Sequence, residues 1–261
     1  MNIDTASRQA SPSGTQSIQR ALMLVRLVAS EGRRGIRIQA LTEASGLSPT
    51  TAFRMVRSLM NERVIVRDPR TRKLYLGNLI HELGLAAQQT PLRTLCHEAL
   101  HDLAQRTASV VYLSDRSDLE AVCVDRAVGE MPQPHWSLDI GLRCPLGVGG
   151  GGLAILSSLP DDTVAHVVCA NAARYASHKK MTAAAILRQV CETRRSGYAR
   201  LNSVMTPGVV ALGVAFRYGD SAGSLTVAAM RNICDERRVD KIVQLLYQAR
   251  SRVEAAQFVH D

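Results

Sequence analysis

Apolar positions recur at helical spacing soon after the chain begins. Ile18, Ala21, Leu22, Val25, Val28 and Ala29 mark an amphipathic helix that ends before Gly32. A second, short helix is predicted over Ile38–Ser45, with Ala40, Leu41 and Ala44 as its apolar face and Gly46 as the left-handed residue that lets the chain leave it. Ser48 is placed to cap a third helix, and Pro49 takes its first position, where a missing N–H costs nothing. Along that helix Ala52, Val56, Leu59 and Met60 turn inward, which leaves Thr50, Thr51, Arg54, Arg57 and Ser58 outside the core. Two β-type runs follow, Val64-Ile65-Val66 and Leu74-Tyr75-Leu76, joined through a turn that starts at Asp68-Pro69. Helix, tight turn, helix and hairpin, in that order, read as a winged helix-turn-helix. The competing reading is a helical hairpin with a solvated charged turn.

Beyond the hairpin, Leu79, Ile80, Leu83, Ala86 and Ala87 predict a linker helix that Pro91 interrupts. A further helix runs from Leu92, burying Leu92, Leu95, Ala99, Leu100 and Leu103. Strands are expected over Val110–Leu113 and Ala121–Val124, around the polar turn SDRSDLE, and over His135–Leu138. The run Gly147-Val148-Gly149-Gly150-Gly151-Gly152 leads into LAILSSL, closed by Pro160. Helices are expected over Asp162–Ala170 and Thr182–Arg194, strands over Val209–Phe216 and Ser224–Ala229, and a last helix from Asp235 to about Ala256. The fold class is α+β, in two domains. Residues 1–15 form a disordered tail, 16–77 a winged helix-turn-helix domain, 78–90 a linker helix, and 91–261 a sensor domain with an antiparallel central sheet.

Charge sharpens this division. Residues 1–77 hold 13 Lys and Arg against 5 Asp and Glu, and the remainder holds 19 against 18, so nearly all of the net +9 lies in the first third. A basic module joined to a near-neutral one suits a polyanion binder coupled to another function. A major groove admits one helix, and short hydroxyls and arginines near its N-terminus reach phosphates and base edges together. Ser48, Pro49, Thr50, Thr51, Arg54 and Arg57 are therefore the DNA-contact candidates on the third helix, with Arg54 foremost. Arg67, Arg70, Arg72 and Lys73 make the hairpin turn basic enough to lie along a phosphate backbone or enter a minor groove. Cys96, Cys123, Cys144, Cys169, Cys191 and Cys234 are scattered singly, which fits a reducing compartment and mostly buried thiols. No apolar stretch of roughly 20 residues is available to cross a bilayer, and the expected location is cytoplasmic.

Two motifs suggest enzyme chemistry. His97-Glu98-Ala99-Leu100-His101 spells H-E-x-x-H, in which two histidines one turn apart hold zinc and the glutamate activates water. No third ligand follows at metzincin spacing; Glu120 is the conceivable substitute, within a strand region. The glycine run satisfies G-x-G-x-x-G, yet Pro145 stands where a central strand would end and Pro160 cuts the next helix short. The weaker expectation is that its open backbone N–H groups, at a helix start, hold a carboxylate. Trp136, the single tryptophan, reads as a packing residue or a pocket wall. An enzyme built on either motif is the alternative function; otherwise no catalytic residue, metal or cofactor is expected.

The segments SIQRALMLVRLV, GLSPTTAFRMVRSLMNERVIVRDPRTRKLYLG, IGLRCPLGVGGGGLAILSSLP, SGYARLNSVMTPGVVALGVAF and SLTVAAM, in this order and spacing, resemble the IclR family of bacterial transcriptional regulators over roughly residues 17–250. The resemblance implies a winged-helix DNA-binding domain, a linker helix and a GAF-like effector-binding domain. It also implies assembly as a homodimer or tetramer on double-stranded operator DNA, controlled by a small organic ligand. By gapless carry-over, Gly150 and Gly151 match backbone donors to a ligand carboxylate, while Asn202, Ala211, Thr226 and Ala228 match positions lining the cavity. Several positions depart from the family pattern. Gly147 replaces a histidine, Gly152-Leu153-Ala154 replaces Gly-Lys-Ala, and Leu201, Asn202, Ser203 and Val204 stand where acidic residues are usual. The expected effector is therefore a monocarboxylate with an aromatic or branched body, and the expected targets are genes of small organic acid metabolism.

Overall fold

A computed structural model describes residues 15–86, 91–130, 139–178, 181–202 and 207–257. The chain forms two compact units that divide near residue 88. The tail expected over residues 1–15, all but its last residue, and the strand expected over His135–Leu138, with Trp136, lie outside the described residues.

In the first unit, α1 (Gln16–Ser30), α2 (Ile38–Ser45) and α3 (Pro49–Asn61) precede the hairpin β1 (Ile65–Arg67) and β2 (Leu74–Leu76), and α4 (Asn78–Ala86) follows it. Its core joins Leu24 and Val28 of α1, Leu41 of α2, Ala52 and Val56 of α3, and Ile65 and Leu74 of the hairpin, all buried. Fully burying a leucine or isoleucine contributes roughly 1.5–3 kcal/mol, so this small set holds the module together. The face of α2 differs from the sequence reading, because Ala40 and Ala44 are exposed. The inward stripe is Ile38, Leu41, Thr42 and Ser45. Thr42 and Ser45 can face inward because their hydroxyls donate to the Ile38 and Thr42 carbonyls at 2.8 and 2.9 Å. Gly46 then ends the helix in the left-handed region, at φ 63°. Ile36 bridges to Leu74, adding a third edge to the hairpin.

The second unit begins with α5 (Pro91–Thr107), so Pro91 opens this helix. A six-stranded antiparallel sheet follows: β3 (Val110–Ser117), β4 (Glu120–Val128), β5 (Arg143–Pro145), β6 (Ala199–Asn202), β7 (Val209–Tyr218) and β8 (Ser221–Met230), in the order β5-β4-β3-β8-β7-β6. Both hairpins run further than the apolar pattern indicated, since the polar residues Asp115–Ser117 and Arg217–Tyr218 still pair across the turn. The edge strand β5 carries too few residues to display an alternation, whereas β6, not expected from the sequence, alternates buried Ala199 and Leu201 with exposed Arg200 and Asn202. On one face Leu225, Val227 and Ala229 of β8 and Val210, Leu212, Val214 and Phe216 of β7 pack under α5 and α9 (Glu236–Ala256). The other face is covered by α6 (Gly149–Ser157), α7 (Asp161–Tyr175) and α8 (Ala183–Ser196).

A Cβ placed on Gly77, just after β2, would lie 2.1 Å from the Arg63 carbonyl oxygen, a backbone atom that cannot step aside. Gly77→Ala should therefore destabilise the first unit by roughly 1–3 kcal/mol through overpacking. Thermal unfolding followed by circular dichroism checks this; an unchanged profile would show that the hairpin can move away.

Candidate functional site

The exposed side of α3 and the hairpin tip form the first candidate site. Ser48 caps α3, its Oγ accepting from the Thr51 N–H at 3.3 Å, and Pro49 is the first helical residue. Thr50, Arg54 and Arg57 are exposed and Thr51 half-exposed, while Ala52 and Val56 are buried behind them. Phe53, 53% exposed, joins them, because Thr50, Phe53, Arg54 and Arg57 follow the i, i+3, i+4, i+7 rows of one helix face. The sequence reading passed over this phenylalanine, although its place beside Arg54 on the polar face was a visible signal.

The hairpin tip is shaped by Asp68, whose Oδ1 accepts the backbone N–H groups of Arg70 at 2.7 Å and Thr71 at 3.0 Å. Arg72 closes the turn with φ 61° and its N–H on the Asp68 carbonyl at 2.9 Å. Its basic residues divide into two groups. Lys73 donates its ammonium to the Arg34 carbonyl at 2.6 Å, and Arg67 Nε donates to the Arg72 carbonyl at 3.4 Å, so both brace the tip. Arg70 and Arg72 are exposed.

The second candidate site is the start of α6. Gly150 through Ser157 are all buried, so this helix is enclosed on every side. Its first turn rests directly on β7, β8 and β3. A Cβ on Gly150 would come within 2.9 Å of Ala211 Cβ and Thr226 Cγ2, and one on Gly151 within 2.9 Å of the Ser114 and Ser224 hydroxyls and 3.1 Å of Thr226 Oγ1. Ser224 Oγ and Thr226 Oγ1 are buried without a hydrogen-bond partner. The first N–H groups of any helix lack intrahelical acceptors, so this corner concentrates donors.

Register decides which predicted residues share it. Ala211 pairs with Ala228 and Gly213 with Thr226, so Ala211, Thr226 and Ala228 face α6 together with Gly150 and Gly151. Asn202 pairs with Val210, which belongs to the α5–α9 core, and its neighbour Leu201 is the residue that pairs with Ala211. Strand alternation thus puts Asn202 on the opposite face, and it leaves the set. Ser114 and Ser224 were missed by sequence reasoning; in an alternating strand a buried serine looks like any small residue.

Polar bonds tie together the elements around α6 and reach both of its ends. Arg143 Nε and Nη2 donate to Glu120 Oε2 at 2.6 Å and Ser117 Oγ at 2.8 Å, and Arg174 also donates to Glu120. Burial raises the Glu120 carboxyl, but the bonds from Arg174 and Arg143 outweigh it and hold the pKa below its ordinary value. Tyr175 donates to the Leu146 carbonyl at 2.7 Å, just before the glycine run. At the far end Arg194 donates to the Ser157 and Leu159 carbonyls at 2.9 and 2.6 Å, where a cation complements the helix dipole.

His97 and His101 stand one turn apart with ring centroids 4.5 Å from each other, but neither enzyme motif finds its remaining partners among the described residues. His97, Glu98 and His101 are exposed on α5, Glu120 is committed to two arginines, and among the described residues no three His, Cys, Asp or Glu converge on a metal site. The glycine run opens a helix in an antiparallel sheet, and among the described residues there is no parallel βαβ unit to hold a dinucleotide. Burial pushes the Cys96 thiol up to about 12 and Cys123 up to about 11, which keeps both protonated and inert. Cys169 and Cys191 are exposed and Cys144 half-buried, so burial covers only half of the cysteines. No helix among the described residues is long and apolar enough to cross a membrane.

Comparison with known proteins covers both units. Residues 17–69 match the model described as IclR helix-turn-helix domain, and residues 84–255 match that of Bacterial transcriptional regulator IclR C-terminal. The chain is 25% identical over 186 residues to the HTH-type transcriptional regulator TtgV of Pseudomonas putida, covering 71% of this chain and 70% of that protein. A crystal structure of an IclR family transcriptional regulator from Brucella abortus superposes with a TM-score of 0.80 at 18% identity, covering 96% of this chain and 94% of that one. An IclR homologue from Microbacterium hydrocarbonoxydans, solved in complex with 4-hydroxybenzoate, gives a TM-score of 0.72 at 16% identity, covering 94% and 100%.

The Asp68 turn responds to pH in a definite direction. Hydrogen bonds from the Thr71 and Arg70 N–H groups hold its carboxyl below the ordinary 3.8. A lowered folded-state pKa gives a contribution that is present above the unfolded value and lost as pH falls through the folded one. The Arg70 and Thr71 amide resonances should therefore titrate together below pH 3.8; a midpoint at or above that value would mean that the turn does not use this carboxylate.

Proposed function

Because the chain belongs to the IclR family and is a DNA-binding transcriptional regulator, we propose that α3 enters the major groove of an operator and that binding is controlled by a small organic monocarboxylate held at the start of α6. A regulator of this kind works where the chromosome is, in the cytoplasm. The proposed domain division keeps the basic module at residues 16–77, joined through a linker at 78–90 to an effector domain from residue 91. The observation that carries the DNA reading is the capped helix whose exposed row is Thr50, Phe53, Arg54 and Arg57, in the module that holds almost all of the net charge. Ser48, Pro49 and Thr51 set the helix start close to the backbone, and Arg70 and Arg72 reach a flanking phosphate or groove. Lys73 acts in this reading mainly by holding the tip.

The effector reading is supported by Gly150 and Gly151 at the helix start, the unpartnered hydroxyls of Ser224 and Thr226, and the small side chains of Ala211 and Ala228 on the same face. The absence of acidic residues there favours an anion, and the aromatic or branched body expected from the sequence would have to extend from the helix start beyond the Ala211 and Thr226 contact. The 4-hydroxybenzoate complex of the structural relative from Microbacterium hydrocarbonoxydans is compatible with this class of ligand. Genes of small organic acid metabolism are the corresponding targets. Assembly as a dimer or tetramer is supported by the apolar residues that α1 and α4 leave open: Ile18 is 62%, Leu22 50%, Leu83 56% and Leu85 52% exposed.

Arg54→Ala and Arg57→Ala should each weaken operator binding by on the order of 1–3 kcal/mol without lowering thermal stability, on a site made of inverted half-sites. A mobility-shift titration at fixed salt tests this, and full affinity in both variants would move the recognition surface elsewhere. Leu83→Glu should impair assembly or operator binding, as seen by sedimentation; a wild-type monomer that binds DNA at full strength would refute the assembly. For the effector, Thr226→Val removes a hydroxyl at constant volume, whereas Gly151→Val drives a side chain into Ser114 and Ser224. Calorimetry against a panel of aromatic and branched monocarboxylates should therefore give weaker binding in Thr226→Val; equal affinity would dismiss that residue as a ligand contact.

A further inference from the structure

On the sheet face opposite α6, the end of α5 and the first turns of α9 enclose a cleft of about 480 Å³. Arg106, Arg237, Arg238 and Lys241 line it, and Asp235 is its single carboxylate. Asp235 is already committed as the cap of α9, its Oδ1 accepting from the Arg238 N–H at 2.8 Å. Arg106 is partly neutralised by Asp102 at 3.3 Å, and Arg238 donates Nη2 to the Thr107 carbonyl at 3.0 Å, which fixes its guanidinium against the cleft wall. Arg237 and Lys241 are exposed, one helical turn apart, and neither forms an ion pair with another described residue. Like charges at this spacing repel across one turn of the helix, and a concave wall strengthens their field.

The floor is apolar at Ile233, which is 37% exposed, with Ile242 buried behind it. A cleft of this size falls within the range of small-molecule sites, and clustered guanidinium groups offer paired N–H donors to phosphate oxygens. A monocarboxylate would cancel one charge and leave the repulsion between Arg237 and Lys241 in place; a ligand with two or more negative charges relieves it. We propose that this cleft is a second anion site, distinct from the α6 face, that takes a small organic polyanion of the diphosphate class, its charged end between Arg237, Arg238 and Lys241 and its carbon skeleton on Ile233.

The test is titration calorimetry of the full chain with inorganic pyrophosphate and with adenosine diphosphate at fixed salt, beside a DNA mobility shift. Wild type should bind one equivalent of each per chain, with adenosine diphosphate tighter because of the apolar floor. Arg237→Ala/Lys241→Ala should weaken both by on the order of tenfold or more, and the charge-preserving Arg237→Lys/Lys241→Arg should stay close to wild type. Operator binding by the alanine pair without ligand should be unchanged, so this result is independent of the recognition surface proposed above. No pyrophosphate binding by wild type overturns the proposal, as does equal binding by wild type and the alanine pair. Loss of DNA affinity in the alanine pair with pyrophosphate binding retained also overturns it, and assigns the patch to the DNA backbone instead.

Discussion

Helix α6 reaches the sheet only because its first turn carries nothing larger than a hydrogen atom at the points of contact. A helix normally stands off a sheet by the thickness of two layers of side chains; here Gly150 and Gly151 bring the helix backbone down onto Ala211, Thr226, Ser114 and Ser224. The strands below are correspondingly small on this face, and β8 alternates Ala222, Ser224, Thr226 and Ala228 toward α6 with Leu225, Val227 and Ala229 toward α5 and α9. The two sides of one sheet thus do different physical work. One is a dry aliphatic core under α5 and α9, and the other joins a close backbone contact carrying buried hydroxyls to a second aliphatic cluster among α6, α7 and α8.

Such a contact gains little from side-chain burial, so its geometry has to be fixed from outside. The Glu120–Arg143–Arg174 network, the Tyr175 bond to Leu146 and the Arg194 clamp perform that task from β4, α7 and α8. Glu120 remains ionised because two guanidinium groups repay its desolvation. Helices that look peripheral in the sequence therefore set the position of the residues nearest the proposed ligand site.

The same separation of roles governs the basic module. Its charge draws it to a polyanion at any orientation, but orientation is set by the side chains that the fold leaves free. Lys73 and Arg67 are spent on the turn and Asp68 on two backbone N–H groups, which leaves Arg70 and Arg72 at the tip and Arg54 and Arg57 on α3 facing outward.

The sequence by itself determined the order of the helices, the winged module, the place of its charge and the exposed row of α3, because these follow from local signals: a cap, a proline at the first helical position, a glycine stop and a 3.6-residue period. It also carried enough ordered motif to identify the family. It misjudged α2, where Thr42 and Ser45 turn inward by bonding to their own helix, since their hydroxyls hide from a count of apolar residues. The family resemblance placed Asn202 with Ala211, Thr226 and Ala228 among cavity-lining positions, whereas the β6 register pairs it with Val210 and sends its side chain to the other side of the sheet. The partners of Glu120, the hydroxyls of Ser114 and Ser224 beneath α6, and the cleft between α5 and α9 were likewise decided only in three dimensions. Each joins groups distant in the chain, and their distances and burial are set by packing rather than by any local preference.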